Sequence, residues 1–274
     1  MLKKDNVLIC GKGFLGQRLQ EAFGCMLSDR RIHSYLDAQE VVSKHKPKIL
    51  INCIGSTGQA NVDDCENDKD KTLSSNAFVP LILAEACIRK GIKFVHVSSG
   101  CIYHYDYEKS ALITEDDEPD FFDLFYSRTK IYAERALKTL ARQYDILIPR
   151  VRIPLDDRPH PKNVLNKLIK YGKVIDLPNS VTYIPDFIQA LSYLLNAEAR
   201  GIYNVVNKGP MRYPDLMNIY KKYVPSFNYT VIDYEQLNLV RTNLILSTEK
   251  LEKTGFKVRK IEEVYEECVK NYIK

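Results

Sequence analysis

The sequence predicts an α/β fold, a doubly wound parallel sheet followed by a smaller C-terminal lobe. Three observations carry this expectation. Short apolar runs of buried-strand type recur through the first half, at 6–10, 48–54, 94–98 and 146–153. Helix-patterned stretches at 17–23, 71–90 and 126–142 alternate with them, as crossovers between parallel strands require. A glycine-rich run, Gly11-Lys12-Gly13-Phe14-Leu15-Gly16, follows the first strand at once.

The first strand is apolar without alternation, so both of its faces are expected to be covered. In the order strand, G-x-G-x-x-G, helix, Gly11 permits the tight turn and Gly16 lets the helix pack closely. Gly13 lets backbone approach a pyrophosphate at the helix N-terminus. Phe14 and Leu15 complete the loop, and Gly24 closes the helix. This is the context of the Rossmann dinucleotide fingerprint.

A second strand at 25–27 ends in Ser28-Asp29-Arg30-Arg31, where the ribose of a dinucleotide is read. An acid there favours NAD, whereas an arginine holds the 2′-phosphate of NADP. Both types are present, and a solvated charged loop is the plainer meaning of the same residues. Arg31 or Arg30 suits the phosphate, so NADPH is the expected cofactor, with NADH compatible. The third strand ends in Asn52-Cys53-Ile54-Gly55, where backbone passes beneath adenine and ribose. The helix at 71–90 contains Asn76, and 103–125 is an acidic surface loop.

The character changes after Pro154. A proline- and charge-rich loop at 156–161 leads to a helix at 163–171, a strand at 174–177 and a mixed remainder. The expected division is a Rossmann domain at 1–154 and a substrate-binding lobe at 155–274. Within the lobe, about 183–206 should return to the first sheet.

The totals narrow the classes. A length of 274 residues with 45% hydrophobic and 27% charged content suits a globular α/β protein of this size. The net charge of +5 comes from 40 basic and 35 acidic residues spread along the chain, which excludes a nucleic-acid footprint. No apolar run is long enough to cross a bilayer. The seven cysteines are odd in number and contain no CxxC pair, so free thiols are expected rather than a zinc site or disulfide framework. With an N-terminus that enters a strand without a signal-peptide core, the expected location is the cytoplasm.

The chemistry gathers where the fourth strand ends, at Val97-Ser98-Ser99-Gly100-Cys101-Ile102-Tyr103, and at Tyr126-Ser127-Arg128-Thr129-Lys130. Tyr126 and Lys130 are four apart, on one face of a helix. Ligands of open α/β sheets sit at the carboxyl ends of the strands, so Ser99 and the glycine loop should line one crevice. Tyr126 is then the acid that protonates a ketone oxygen as hydride arrives. Lys130 lowers its pKa and holds the cofactor ribose, and Ser99 hydrogen-bonds the ketone. Tyr-x-x-x-Lys pairs also arise by chance in a chain with 18 tyrosines. The order of glycine loop, strand-end serine and Tyr-Lys helix is what distinguishes this one. Cys101, taken alone, reads as a small buried hydrophobe.

These residues resemble the extended short-chain dehydrogenase/reductase superfamily, with Ser99, Tyr126 and Lys130 in its catalytic places and Asn76 in the place of its helix asparagine. Ser-Ser-Gly-Cys-Ile-Tyr (98–103), Phe-Tyr-Ser-Arg-Thr-Lys (125–130), Arg-Val-Arg-Ile-Pro (150–154) and Lys-Val-Ile-Asp-Leu-Pro-Asn-Ser (173–180) are similar to the nucleotide-rhamnose synthase/epimerase-reductase family. That family is related to dTDP-4-dehydrorhamnose reductase and GDP-fucose synthase. Similar stretches at 61–66, 201–207 and 241–243 extend the likeness over nearly the whole chain. Serine stands at 99 where the family often has threonine, and Tyr103 where it has phenylalanine; the loop from Cys101 to Tyr126 is shorter than in plant members.

The resemblance implies a bifunctional enzyme: 3,5-epimerisation and NADPH-dependent 4-keto reduction of UDP-4-keto-6-deoxy-glucose to UDP-L-rhamnose. It implies Cys101 and Lys167 as the epimerase pair, Asn163 and Lys167 against the sugar, and Arg241 near the pyrophosphate. A homodimer through a four-helix bundle that includes the Tyr126–Lys130 helix is also implied, with Ala133, Ala136 and Leu140 suited to its face. The chemistry of the pair is sound. Carbons beside a ketone are acidic because the enolate spreads charge onto oxygen, and inversion needs a base on one face and an acid on the other. A thiol, of reference pKa about 8.5, becomes a base beside a cation, and a lysine of reference pKa about 10.4 becomes an acid when desolvated. Lys167 shares its stretch with Lys162, Lys170 and Lys173, so a solvated charge is its plain alternative, and His104 and His160 are rival proton donors. Two other functions stay open: a reductase alone, which has no need of Cys101, and a non-catalytic NADP-binding regulatory subunit, which has no need of Ser99, Tyr126 and Lys130.

Overall fold

The computed structural model describes residues 4–59, 61–109, 111–237 and 239–274. The first three residues of the N-terminal run, and Ser110 of the acidic loop, lie outside the described residues.

Strand β1 (Val7–Cys10) is followed by α1 (Phe14–Phe23), β2 (Met26–Ser28), α2 (Tyr35–His45) and β3 (Ile49–Asn52). Helices α3 (Lys69–Leu73) and α4 (Val79–Ile88) lead to β4 (Lys93–His96) and the short β5 (Ser98–Ser99); α5 (Phe125–Leu140) precedes β6 (Ile146–Val151). Then come β7 (Pro154–Leu155), α6 (Val164–Tyr171), β8 (Lys173–Ile175), β9 (Thr182–Tyr183), α7 (Ile184–Asn196) and β10 (Gly201–Asn204). The chain ends with α8 (Tyr213–Tyr223), β11 (Thr230–Ile232), α9 (Glu249–Lys253) and α10 (Tyr265–Tyr272).

Two compact units divide the chain. The first runs through Ile102 and takes in Phe121–Arg150 and Leu191–Tyr203; the second comprises Tyr103–Asp120, Val151–Ala190 and Asn204–Lys274. The loop 103–120, which the sequence reading left in the N-terminal domain, thus groups with the second unit.

In the first unit one sheet runs in the order β10-β6-β4-β3-β1-β2, with β5 beside β6. β1 pairs in parallel with β2 and β3, β3 with β4, and β4 with β6. Leu8, Leu50, Phe94 and Ile146 lie in successive registers across it and are fully buried. Val41, Leu83 and Leu137 from the helices join the same core. A sheet covered on both sides explains why its strands read as unbroken apolar runs. Strand order reverses at β1, so the glycine loop sits at the topological switch point.

Two elements of this unit differ from expectation. Helix α2 was not foreseen, although its capping box is in the sequence: Ser34 accepts from Asp37 N–H at 3.3 Å, while Asp37 accepts from Ser34 N–H at 3.0 Å. The stretch read as one helix at 71–90 is α3 and α4 joined by a π turn, Ser74–Phe78. Pro80 in the first turn of α4 has no N–H to donate back, and the wider turn before it absorbs the break in the hydrogen-bond ladder.

In the second unit β7 pairs with β9 and β8 with β11, each in parallel, over a core that includes Leu155, Leu165, Tyr183, Met217 and Val269. Helices α8, α9 and α10 and strand β11 went unforeseen there. Their apolar positions are separated by charged and tyrosine residues that blur the period.

Candidate active site

The glycine loop is shaped by close backbone contact. Gly11 has φ +108°, and a Cβ on it would meet Ile54 N at 2.7 Å and the Cys53 carbonyl carbon at 2.8 Å. A Cβ on Gly16 would stand 1.9 Å from the Gly11 oxygen. Gly13 differs from both. It caps α1 without any side-chain hydrogen bond, and nothing lies within 4 Å of where its Cβ would be. Two glycines therefore exist for packing, while the third keeps open space at a helix N-terminus, where amide dipoles favour an anion.

The chain after β3 lies against this loop: Cys53 N–H donates to Cys10 O at 2.8 Å, and burial pushes the Cys53 thiol up to about 12, so it is inert. Asn52 is fully buried, accepts from Ile54 N–H at 3.0 Å, and contacts His96 Nδ1 through its amide nitrogen at 3.1 Å. That contact assigns an acceptor role to Nδ1 and places the His96 proton on Nε2. Burial, with the Lys130 charge nearby, holds His96 well below the usual histidine range and neutral.

Asn76, on the π turn, clamps the next residues. Its carbonyl accepts from Ser56 N–H at 2.7 Å; its amide donates to Ser56 O at 3.0 Å and to Thr129 Oγ1 at 3.2 Å. A Cβ on Gly55 would lie 3.2 Å from Asn76 Oδ1 and 3.4 Å from Lys130 Nζ. The fold therefore brings the Lys130 ammonium to the backbone that follows β3. Lys130 is 5% exposed, and its pKa falls from 10.5 to about 8. Burial is the cause, opposed by Glu134 and then by the Cys53, Cys101 and Cys65 thiols.

Ser99 is the last residue of β5, and its hydroxyl accepts from Cys101 N–H at 3.1 Å. Ser127 Oγ, in the first turn of α5, donates to the Cys101 carbonyl at 2.6 Å. The segment carrying the hydroxyl and thiol is thus tied directly to the turn that carries Tyr126, whose side chain is 6% exposed. Beneath them lies a pair that sequence reasoning missed. Glu134 and Arg150 are 2% and 1% exposed and meet at 2.6 Å, and Ser98 Oγ donates to Glu134 at 2.7 Å. A glutamate one turn beyond Lys130 on the same face was the available signal.

The two arginines after β2 separate. Arg30 pairs with Asp37 and Glu40 at 3.0 Å each. Arg31 is exposed, and no hydrogen bond or ion pair engages it among the described residues.

In the second unit Asn163 requires a correction. It is fully buried and caps α6. Its oxygen accepts from Asp156 N–H and Leu165 N–H at 3.1 Å each, and its amide donates to Asp156 O at 2.7 Å and Arg158 O at 2.9 Å. Both lone pairs and both protons are engaged, so nothing is left for a sugar. Lys167 sits half-buried in the first turn of α6, its N–H donating to Asn163 O at 3.3 Å. Arg241 is half-buried; its Nη1 donates to Val240 O at 2.7 Å, and the Tyr234 hydroxyl bridges its backbone N–H and carbonyl at 3.1 Å each. Of the rival histidines, exposed His104 lies 3.4 Å from Asp120, while partly buried His160 accepts from Lys162 N–H through Nδ1 at 3.0 Å.

A switch-point glycine loop and a serine, tyrosine and lysine at one strand end and one helix define the fold class of the extended short-chain dehydrogenases/reductases. The family model described as RmlD substrate binding domain matches residues 6–212. The chain is 32% identical over 268 residues to a bifunctional dTDP-4-dehydrorhamnose 3,5-epimerase/dTDP-4-dehydrorhamnose reductase of Arabidopsis thaliana, covering 92% of this chain and 87% of that one. It is 34% identical over 219 residues to a trifunctional UDP-glucose 4,6-dehydratase/UDP-4-keto-6-deoxy-D-glucose 3,5-epimerase/UDP-4-keto-L-rhamnose-reductase of the same plant. That match covers 76% of this chain and only 32% of the longer relative. Among solved structures, a UDP-rhamnose synthase from Acanthamoeba polyphaga mimivirus superposes with a TM-score of 0.90 at 24% identity, covering 97% and 98% of the two chains. A dTDP-4-dehydrorhamnose reductase from Bacillus anthracis in complex with NADP gives 0.84 at 22%, covering 99% of each. The chain belongs to the RmlD substrate binding domain family, and no helix among its described residues is long and apolar enough to cross a membrane.

Proposed function

We propose that this chain is a bifunctional enzyme that epimerises UDP-4-keto-6-deoxy-glucose at carbons 3 and 5 and reduces its 4-ketone with NADPH, yielding UDP-L-rhamnose. The single observation that carries the proposal is the tie between Ser127 and the Cys101 carbonyl. It joins a thiol-bearing strand end to the helix of Tyr126 and Lys130. A reductase needs only Ser99, Tyr126 and Lys130; the thiol beside them suits a base for the epimerisation. Similarity to an epimerase/reductase over 92% of the chain supports the same reading.

The glycine loop fits a dinucleotide, because Gly13 leaves open space at the uncapped N-terminus of α1. Gly11, Gly13, Phe14, Leu15 and Gly16 would hold the pyrophosphate, and the backbone from Asn52 to Gly55 would lie along the adenosine. Arg31 would take the 2′-phosphate; Arg30, held by two carboxylates, supports the start of α2 instead. Asn76 would act on the cofactor side by fixing Ser56. NADPH, when bound, supplies the hydride.

The chain's own residues move the protons. Cys101 Sγ would accept the proton from the carbon beside the ketone, while Ser99 Oγ and the Tyr126 hydroxyl stabilise the enolate oxygen. For return of a proton to the opposite face the resemblance implies Lys167. After both inversions, Tyr126 would protonate the 4-oxygen and Lys130 would hold the phenol and ribose in place. Arg241 is the proposed partner of the nucleotide diphosphate.

We also propose a homodimer through α4 and α5. Its face cannot include Ala133, which is fully buried within one chain, and Leu140 packs on the sheet core. Phe78, on the π turn that leads into α4, and Tyr132, on α5, are 53% and 48% exposed and are the better members.

The test is product NMR after incubation with UDP-4-keto-6-deoxy-glucose and NADPH. A rhamnose-configured product is expected, and NADPH oxidation without inversion would leave a reductase alone. In deuterium oxide without NADPH, wild type should incorporate deuterium at carbons 3 and 5, whereas folded Cys101→Ala should not. Undiminished exchange in that variant removes Cys101 from the mechanism.

A further inference from the structure

The geometry points to Glu134 as a positioning residue: anchored from below by Arg150 and Ser98, it provides the counter-charge to the Lys130 ammonium and ties the strand end of Ser99 and Cys101 to α5. This deepens the catalytic reading of Lys130 and rests on it.

Three observations converge. Glu134 stands one turn beyond Lys130 on α5, and both are buried, at 2% and 5% exposure. Arg150, on β6, addresses Glu134 from two nitrogens, Nε at 3.1 Å to each oxygen and Nη2 at 2.6 Å to one. Ser98, immediately before the catalytic serine, gives the same carboxylate a fourth contact at 2.7 Å. One side chain thus connects the sheet, the strand end and the Tyr-Lys helix. These donors offset the cost of burying the Glu134 carboxylate. Its charge then serves the nearby lysine, whose own burial drives it toward the neutral amine. A salt bridge that merely stapled β6 to α5 would have no reason to lie one turn from a buried ammonium.

Other charges around α5 are accounted for. His96 on β4 is neutral, and the Cys53, Cys65 and Cys101 thiols oppose the loss of the Lys130 proton less than Glu134 does. On the 62–66 turn, Glu66 accepts from Phe125 N–H at 2.6 Å and Asp64 caps its own turn through Asn61. Asp70 lies in the first turn of α3, and Glu85 on α4 pairs with Arg89 at 2.5 Å. Glu134 is therefore the carboxylate matched to Lys130.

The experiment reads the Lys130 amine directly by 15N NMR titration in the full chain, together with the pH profile of kcat. Removing Arg150 as well would take away a cation with the anion and blur the sign, so the informative variant is Glu134→Gln, which keeps a neutral hydrogen-bonding group beside the Arg150 guanidinium. The Lys130 titration should move to lower pH by about one unit, and the basic limb of kcat should follow it with KM little changed. Should that variant fail to fold, Glu134→Asp keeps the charge but withdraws it by one methylene, and a downward shift is expected again. Lys130 titrating at the wild-type pH in the folded variant overturns the assignment. The NMR readout is independent of turnover, so an enzyme inactive on the keto-sugar would count against the proposed function and leave this inference separately decided.

Discussion

The Asn76 amide donates to the Thr129 hydroxyl at 3.2 Å, and that hydroxyl donates in turn to the Tyr126 carbonyl at 2.7 Å. All three residues are buried. The π turn that carries Asn76 is thereby wired to the backbone of the candidate acid, between Tyr126 and Lys130 in the chain.

Replacing Thr129 by valine keeps the shape and removes the hydroxyl. The Asn76 donor loses one partner, which should cost about 1–2 kcal/mol. Thermal unfolding should fall by roughly 2–6 °C in a chain of this size, and kcat should fall more than KM rises, since the backbone of Tyr126 is released. An unchanged melting temperature would show that the wiring carries no weight.

The loop glycines should respond differently to alanine. Gly16→Ala drives a methyl into the Gly11 carbonyl and should destabilise the fold by about 3 kcal/mol or more, because backbone cannot yield cheaply. Gly13→Ala meets no atom in the free protein, so its stability should change by less than about 1 kcal/mol while NADPH affinity, read by fluorescence titration, falls. Arg31→Ala should weaken NADPH more than NADH, whereas Arg30→Ala, which breaks an exposed and solvent-screened pairing, should leave the melting temperature and that preference nearly unchanged.

Lys130 sets a trade-off between stability and activity. Its folded pKa of about 8 lies below the ordinary 10.5, so between those values the unfolded chain holds a proton that the folded chain has shed. Stability must therefore rise with pH across that window, and below about 8 the full penalty of burying the charge applies. The penalty amounts to roughly 3 kcal/mol. Lys130→Met should be more stable than wild type at pH 7 by up to that amount, should lose the advantage by about pH 10.5, and should be inactive as a reductase. Urea titrations of the two proteins at both pH values decide the matter; a variant less stable at pH 7 contradicts the argument.

Much of the first unit was legible in the sequence because its signals are local. The apolar runs of β1, β3, β4 and β6 follow from strands covered on both faces, and the glycine loop from backbone crowding within a few residues of itself. Helix α2 was missed although Ser34 and Asp37 form a readable capping box, and the π turn at 74–78 was hidden because Pro80 interrupts a pattern that otherwise stays helical. The second unit was harder, since the short strands β7, β8, β9 and β11 pair across long stretches of chain and carry little pattern of their own.

By itself the sequence determined the class of fold, the order glycine loop, Ser99, Cys101, Tyr126, Lys130, and the chemistry those types can perform. These depend on residue type and close spacing. Tertiary structure alone decided which polar groups are already engaged. It joined Glu134 to Arg150 and Ser98, committed all four hydrogen bonds of Asn163 to the 156–165 loop and helix start, and held Arg30 with acids while leaving Arg31 exposed. The physical reason is that a hydrogen-bonding group has few valences, and the partners that fill them come from parts of the chain that only folding brings within 3 Å.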